Sequence, residues 1–435
     1  MKKIILSYIA AICCISSQAQ TKIINVEDAG TLSMLIDDSE KYEISDLTLS
    51  GKLNGDDINF IRQMAGGSQF DGFTNGKLSN LNMENVMIVQ GGSYKSGGRT
   101  YYYTSNLEIG QRMFAYLEKL ELIMLPKTLK SIGAEAFYDC INLKKIEIPD
   151  NTFSIDIEAF SGCESLEYVI LGKNVEEIRN GRVFSFCNNL KYFIVPEENG
   201  YFKSIDGVLY SKNGKTLIRF PNAKSSTYSI PQDVKIGDCS FSGCISLESI
   251  YIPEDLTEIG DYAFELCENL KTVNIPENIS VLIGTFSGCT SLTSIVIPSN
   301  VQRIFDSFNG CENLKEIYCK NSVPPYPAYF QGVNTIDCIL YIPQGSYDAY
   351  YKSEGWRNFL NIIEIDYTST NNLDYNKLSI YGYENSIIIQ SNIFTNVDIY
   401  SITGIKYNFS INIGLNIFTL PKGIYVANGE KIIIQ

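Results

Sequence analysis

Histidine is absent from the 435 residues of this chain. That absence removes Ser-His-Asp and Cys-His nucleophiles, histidine-ligated metals and the usual general base near neutral pH. Tryptophan occurs once. No two cysteines form a C-x-x-C pair, so zinc spacing is missing and no metal is expected. Beyond the N-terminus no stretch is long and apolar enough to span a bilayer. Positive charge is in deficit. The formal charge is −14, which repels nucleic acid and anionic membrane and makes both poor partners. The apolar fraction, 45%, is that of a folded protein, and the length allows two or three domains.

The N-terminus reads as an export signal over residues 1–19. Lys2 and Lys3 give a positive start, an uncharged apolar run spans Ile4 to Ser16, and Ser17-Gln18-Ala19 places small residues where a signal peptidase reads. Cys13 and Cys14 raise the alternative of a lipid-anchored cysteine, but Ile12 is bulky where such a signal wants a small residue. The exported chain then begins at Gln20 or Thr21 and carries ten cysteines.

Self-similarity is the dominant signal. Leu143 to Pro149 reads Leu-x-x-Ile-x-Ile-Pro. Variants open at Leu166, Leu190, Leu247, Leu270 and Leu292, a further copy begins at Leu314, and a weaker first one at Leu120. Seven times a phenylalanine stands three residues before a cysteine: Phe137 and Cys140, Phe160 and Cys163, Phe184 and Cys187, Phe241 and Cys244, Phe264 and Cys267, Phe286 and Cys289, Phe308 and Cys311. The cysteines are spaced 23, 24, 57, 23, 22 and 22 residues apart.

In each unit the two later apolar positions are two apart, so they share one face of a short strand. Proline cannot donate to a ladder and ends the strand. The middle segment turns the chain and carries a second inward set, such as Ile259, Ala263 and Phe264. One unit cannot bury these residues alone, whereas stacked copies bury them against each other as a continuous core. Seven rungs at a strand spacing of roughly 4.8 Å predict a rod of about 34 Å. The long cysteine step holds an insertion near 199–227. Asn213-Gly214 between two β-rich runs predicts a hairpin there, with the repeat resuming from Tyr228.

The combination of Ile-Pro, Ile-Gly, Ala-Phe, a cysteine and then a leucine strand resembles the BspA-like leucine-rich repeats of Bacteroides and related bacteria. The insertion from Ile205 to Leu217 is similar to one common in that family. So is the closing segment with Val323-Pro324-Pro325, Leu340 to Ser346, Gly355 to Phe359 and Ile362 to Glu364. The resemblance spans residues 107–364 and implies a β-rich leucine-rich-repeat solenoid with capping segments. Asn180 to Val183 lacks the usual small residue before Phe184, and Ile304 to Ser307 lacks the glycine.

Residues 20–106 read as an N-terminal cap with atypical repeats. Leu32, Leu35 and Ile36 have helical spacing, as do Ile58, Ile61 and Met64 after the N-cap candidates Asp56 and Asp57. Leu47 to Gly51 and Leu78 to Met83 look like atypical rungs, and the glycine-rich stretch from Gly91 to Tyr103 predicts an exposed loop. A polar linker covers 365–376. Residues 377–435 then alternate in short runs that predict a small antiparallel β-sandwich. Val397 to Gly404 and Leu420 to Val426 resemble the C-terminal sorting domains of the Bacteroidetes type IX secretion system, although Ile432 to Gln435 lacks the basic residue such tails often carry.

Three residue sets invite a functional reading. Cys140, Cys163, Cys187, Cys244, Cys267, Cys289 and Cys311 stand in register. Neighbouring rungs come within disulfide range, but parallel side chains point the same way, so a ladder of buried structural thiols is expected, its S–H groups bonding turn carbonyls. Cys239, Cys319 and Cys338 fall outside the register and leave a disulfide open. The acidic pairs Asp37-Asp38 and Asp56-Asp57 could be offered as glycosidase carboxylates, or Asn54 to Asp57 as a calcium loop. Among 49 acids such pairs arise by chance, and a helix cap explains the second pair better. Tyrosine is abundant, 29 residues, and suits interfaces, so Tyr101, Tyr102 and Tyr103 are the binding candidates.

Together these readings predict a non-enzymatic binding protein at the cell surface or secreted, monomeric, without cofactor. It would present a solenoid face to an extracellular protein or glycan. The resemblance adds host matrix proteins or other bacteria as partners, as for BspA-like adhesins. The alternatives are a structural envelope protein without a specific ligand and, against the missing histidine, a carbohydrate-active enzyme.

Overall fold

The repeat unit is too short to fold alone, and each copy forms one turn of a β-solenoid of about 15 turns. The computed structural model describes residues 20–98, 100–367 and 378–434, the last apart from 384–385, 392–394, 402–404, 412–413 and 428–429. The export signal expected at 1–19 and most of the expected linker lie outside the described residues.

Two parallel ladders run along the solenoid. One is built from the leucine-led strands: Leu122–Met124, Lys145–Glu147, Tyr168–Ile170 and Tyr192–Ile194 pair in order. The other carries the short strands Glu108–Ile109, Ser131–Ile132, Ser154–Ile155 and Glu177–Ile178. The central residue of every leucine-led strand, such as Ile123, Ile146, Val169 and Phe193, points into the core. Its two neighbours point outward, as the period of two requires.

The solenoid is longer than seven cysteine-marked rungs predict, because the cap strands join the same sheet. Gln20–Val26, Ile44–Leu53 and Asn80–Ile88 precede Leu122–Met124 in one seven-stranded parallel sheet. At the other end Ile339–Pro343 and Asn361–Ile365 continue from Glu316–Cys319. A strand needs only a buried centre and a free edge to extend a ladder, so caps without the motif still add rungs.

Between the ladders the phenylalanines stack. Phe114, Phe137, Phe160 and Phe184 form one column with centroids 5.1–5.5 Å apart. A second column runs from Phe220 through Phe241, Phe264, Phe286 and Phe308 to Phe330 at 5.0–6.2 Å. The insertion separates the two. Phe202–Ile205 and Val208–Ser211 form one hairpin, and Val208–Ser211 pairs onward with Thr216–Arg219 across Asn213-Gly214. Thr216–Arg219 then pairs in parallel with Lys235–Ile236, and Phe220 enters the second column. The inserted segment therefore supplies a rung itself, and the repeat resumes before Tyr228.

Two expectations for the N-terminal cap need correction. The N-cap of helix Gly55–Met64 is Asn54, not Asp56 or Asp57. Its side chain accepts from Asp56 N, and Asp57 returns to Asn54 N in a capping box. The segment expected as a loop forms an antiparallel hairpin of Gly91–Lys95 and Tyr101–Thr104. It is tied to the helix through Ser93 N to Asp56 and Lys95 N to Asn59. Glycines opened the turn there, but the tyrosine run has strand propensity and a helix to lie on.

The C-terminal region is antiparallel. Leu378–Tyr383, Ser386–Ser391 and Gly414–Thr419 form one sheet; Lys406–Ile411, Thr395–Ser401, Gly423–Ala427 and Glu430–Ile434 form the other. Ile387, Ile389, Ile399, Ile411, Leu420 and Tyr425 make its core. Among the described residues, no helix is long and apolar enough to cross a membrane.

Candidate functional site: a groove on the outward sheet face

The four strands from Leu122 to Ile194 put two rows of side chains into solvent. Leu122, Lys145, Tyr168 and Tyr192 make one row; Met124, Glu147, Ile170 and Ile194 make the other. The second row is mostly aliphatic, and Met124 and Ile194 are more than two-fifths exposed. Apolar side chains at outward positions have no part in the core, so the fold does not account for them.

A groove of about 600 Å³ follows this row and the turns beyond it, lined also by Leu125, Ile148, Pro149, Leu171 and Pro196. Gly172 stands where most rungs carry proline. A Cβ there would lie 2.4 Å from Pro149 O, so these two rungs approach more closely than a side chain allows. Ion pairs hold the rim: Lys127 with Glu84 at 2.9 Å and Lys173 with Asp150 at 3.2 Å. The Lys173 backbone N–H, donated to Asp150 at 3.1 Å, together with its ammonium group, holds that carboxyl below the usual range. At one side the inserted turn closes the sheet, since Phe193 N donates to Gly207 O at 2.8 Å.

Lys145 and Glu147 differ from the rim pairs. Both are exposed on one strand and line the groove. Neither has an ion-pair partner among the described residues. The lining contains no serine, threonine or cysteine nucleophile and no aromatic ring. The groove can hold an apolar surface and match two opposite charges.

The residues singled out from sequence lie elsewhere. Tyr101 and Tyr103 project from the N-terminal hairpin and are exposed by 61% and 73%, while Tyr102 stacks on the buried Tyr94 at 5.7 Å. Tyr94 donates to Gln111 O at 2.8 Å, fixing the hairpin to the first rung. The seven in-register cysteines are buried and free, as are Cys239, Cys319 and Cys338. Each in-register thiol reaches back one rung: Cys163 to Phe137 O, Cys187 to Phe160 O, Cys267 to Phe241 O, Cys289 to Phe264 O and Cys311 to Phe286 O, all at 3.2 Å. Cys140 bonds Phe114 O at 3.1 Å, and Cys244 bonds Asn222 Oδ1 at 3.2 Å. Burial pushes the Cys140, Cys187 and Cys311 thiols up to about 12 and that of Cys244 up to about 11.

The acidic pairs are placed too. Asp57 is buried and accepts from Gly30, Leu32 and Asn54 N–H groups, so it ties the cap together. Asp37 and Asp38 are exposed. Among the described residues no group of three or more metal-ligating side chains converges. The inward pattern that defines the repeat does not mark the groove. Its signal is the outward position after each central apolar residue, where Met124, Ile170 and Ile194 stand.

A family description for the BspA type leucine rich repeat region matches the chain in six copies, over residues 107–222 and 218–335. No curated protein sequence matches. Among solved structures, the pneumococcal vaccine antigen PcpA is 21% identical with a TM-score of 0.50, covering 74% of this chain and 80% of its own. A leucine rich cell surface protein from Faecalibacterium prausnitzii is 25% identical, covering 62% and 85%, with a TM-score of 0.31. A leucine-rich repeat protein from Bacteroides ovatus is 24% identical, covering 74% and 84%, with a TM-score of 0.36. The likeness to PcpA bears on the fold alone.

Proposed function

The chain belongs to the BspA-type leucine-rich repeat family, and on that footing we propose that it is an exported, non-enzymatic binding protein that presents its outward sheet face to an extracellular protein or glycan. The observation that carries this reading is the groove of Met124, Ile170 and Ile194. It is an aliphatic surface with no role in the core, and its lining holds no serine, threonine or cysteine nucleophile. The basic start and apolar run before Gln20 support export. The two antiparallel sheets after residue 377, with the sequence pattern around Val397 and Leu420, support a sorting or anchoring role for the C-terminal module. The exposed rings of Tyr101 and Tyr103 support a second contact area on the N-terminal cap.

The test uses purified protein from Gln20 to Gln435 on arrays of extracellular matrix proteins and glycans. Saturable binding that falls about tenfold in Met124→Glu with Ile194→Glu is expected. Absence of binding across both arrays, or binding untouched by the two substitutions, would overturn the assignment.

A further inference from the structure

We propose that the groove's occupant is an extended polypeptide segment carrying an acidic side chain opposite Lys145 and a basic one opposite Glu147, rather than a glycan. This inference rests on the binding role proposed above and narrows its partner.

Two charges within the groove are unpaired among the described residues. Lys145 and Glu147 lie two residues apart on one strand, so their side chains leave the same face about 7 Å apart. The rim charges are already matched, Lys127 by Glu84 and Lys173 by Asp150. An occupant that covers the aliphatic row must also strip water from Lys145 and Glu147. If it brings no charge of its own, both are desolvated without a partner, which is strongly penalised. If it brings an acid and a base in the right order, the same groups become a specificity device that rejects the reversed order.

The floor points the same way. It is made of methionine, leucine, isoleucine and proline side chains, and no aromatic ring lines the groove. The stacked Tyr168 and Tyr192 stand in the neighbouring outward row beside Lys145, outside the groove, so within it aliphatic peptide side chains pack better than a sugar ring. The volume of about 600 Å³ fits a few side chains rather than a domain surface. A polypeptide supplies apolar groups, a carboxylate and an ammonium or guanidinium at spacings of this order; a neutral glycan supplies neither charge.

The experiment pans a phage library of random dodecapeptides against the immobilised chain from Gln20 to Gln435. Enrichment of peptides with one acid, one base and flanking aliphatic residues is expected. Against those peptides the double variant Lys145→Glu with Glu147→Lys should lose about tenfold in affinity, and peptides with acid and base exchanged should recover it. Circular dichroism and the thermal midpoint check that the surface double variant is folded. Lys145→Gln should give an intermediate loss. No enrichment, affinities that ignore the charge exchange, or a groove-dependent self-association seen by light scattering would each overturn the proposal. If the arrays show binding that depends on Met124 and Ile194 but not on the charge exchange, the peptide proposal fails while the binding role stands. If the arrays show no binding, the binding role itself fails.

Discussion

Arg219 donates from Nη2 to the carbonyl oxygen of Phe184 at 2.9 Å, and in doing so takes the place of a missing cysteine. In the uninterrupted rungs from Phe114 to Phe184 and from Phe241 to Phe308 a thiol reaches back to the preceding phenylalanine carbonyl. After Phe184 the insertion intervenes, and no cysteine follows at the required spacing. The fully buried Arg219 fills the gap and also donates to Cys239 O, Ser242 O and Asn222 Oδ1. Arg182, which bonds Glu265 through Nε and Nη2, spans the same junction.

The apolar core divides at this layer, one cluster ending at Leu209 and the next beginning at Val208. Solenoid stability is a sum over rungs and interfaces, so a weakened interface lets the parts melt separately. Arg219→Met keeps most of the volume and leaves the buried Phe184 and Ser242 carbonyls without this donor, at a cost of about 3 kcal/mol. Urea unfolding should change from one transition to two. A single transition at the original midpoint would show that the layer contributes nothing.

The thiols give a second measurement. Only the thiolate reacts, and burial raises the thiols while denying access. Protein from Gln20 onward should show no labelled cysteine with a maleimide reagent at pH 7.5 and ten in denaturant. Cys239, which keeps 4% exposure while the in-register cysteines are fully buried, should react first on mild destabilisation. Rapid native labelling at Cys163 or Cys267 would contradict the ladder.

The phenylalanine column should be costly to interrupt. Phe241 lies between Phe220 and Phe264 at 5.0 Å from each. Phe241→Ala removes a fully buried ring and should destabilise by about 3–5 kcal/mol. A loss below 1 kcal/mol in denaturant titrations would mean that the column packs loosely.

Asp139 supplies the pH dependence. Burial, then the neighbouring charges of Glu164 and Glu118, push its carboxyl up to about 6. The folded state therefore binds this proton more tightly than the unfolded chain, whose carboxyl has an ordinary value. Stability from this group is greatest below about pH 4 and is lost as pH rises through 6. After discounting for partial exposure, Asp139→Asn should stabilise by about 1 kcal/mol at pH 7 and flatten the profile between pH 4 and 6. Because asparagine also suits the left-handed backbone at this position (φ 55°), the pH profile is the deciding readout, not the gain at one pH. An unchanged slope would refute the assignment.

Much of the solenoid was legible because its physics is local and repeated. Leucine-led strands, prolines that end them and a phenylalanine three residues before a cysteine state the inward faces directly. The caps were less legible. Asn54 competes with Asp56 and Asp57 for one role, and only the helix start decides it. The tyrosine run read as a loop because its partner strand, rich in glycine, carries little propensity of its own.

The sequence by itself determined a stacked-repeat fold, the inward residues of each rung, the absence of histidine chemistry and the position of the insertion. Those follow from periodicity and composition, which need no knowledge of which residues meet. Tertiary structure decided what lies between rungs. It brought Met124, Ile170 and Ile194, separated by whole repeats, into one groove, left Lys145 and Glu147 unmatched within it, and set Arg219 beneath Phe184. Such relations depend on register between strands more than twenty residues apart in sequence, and register is fixed only when the rungs close on each other.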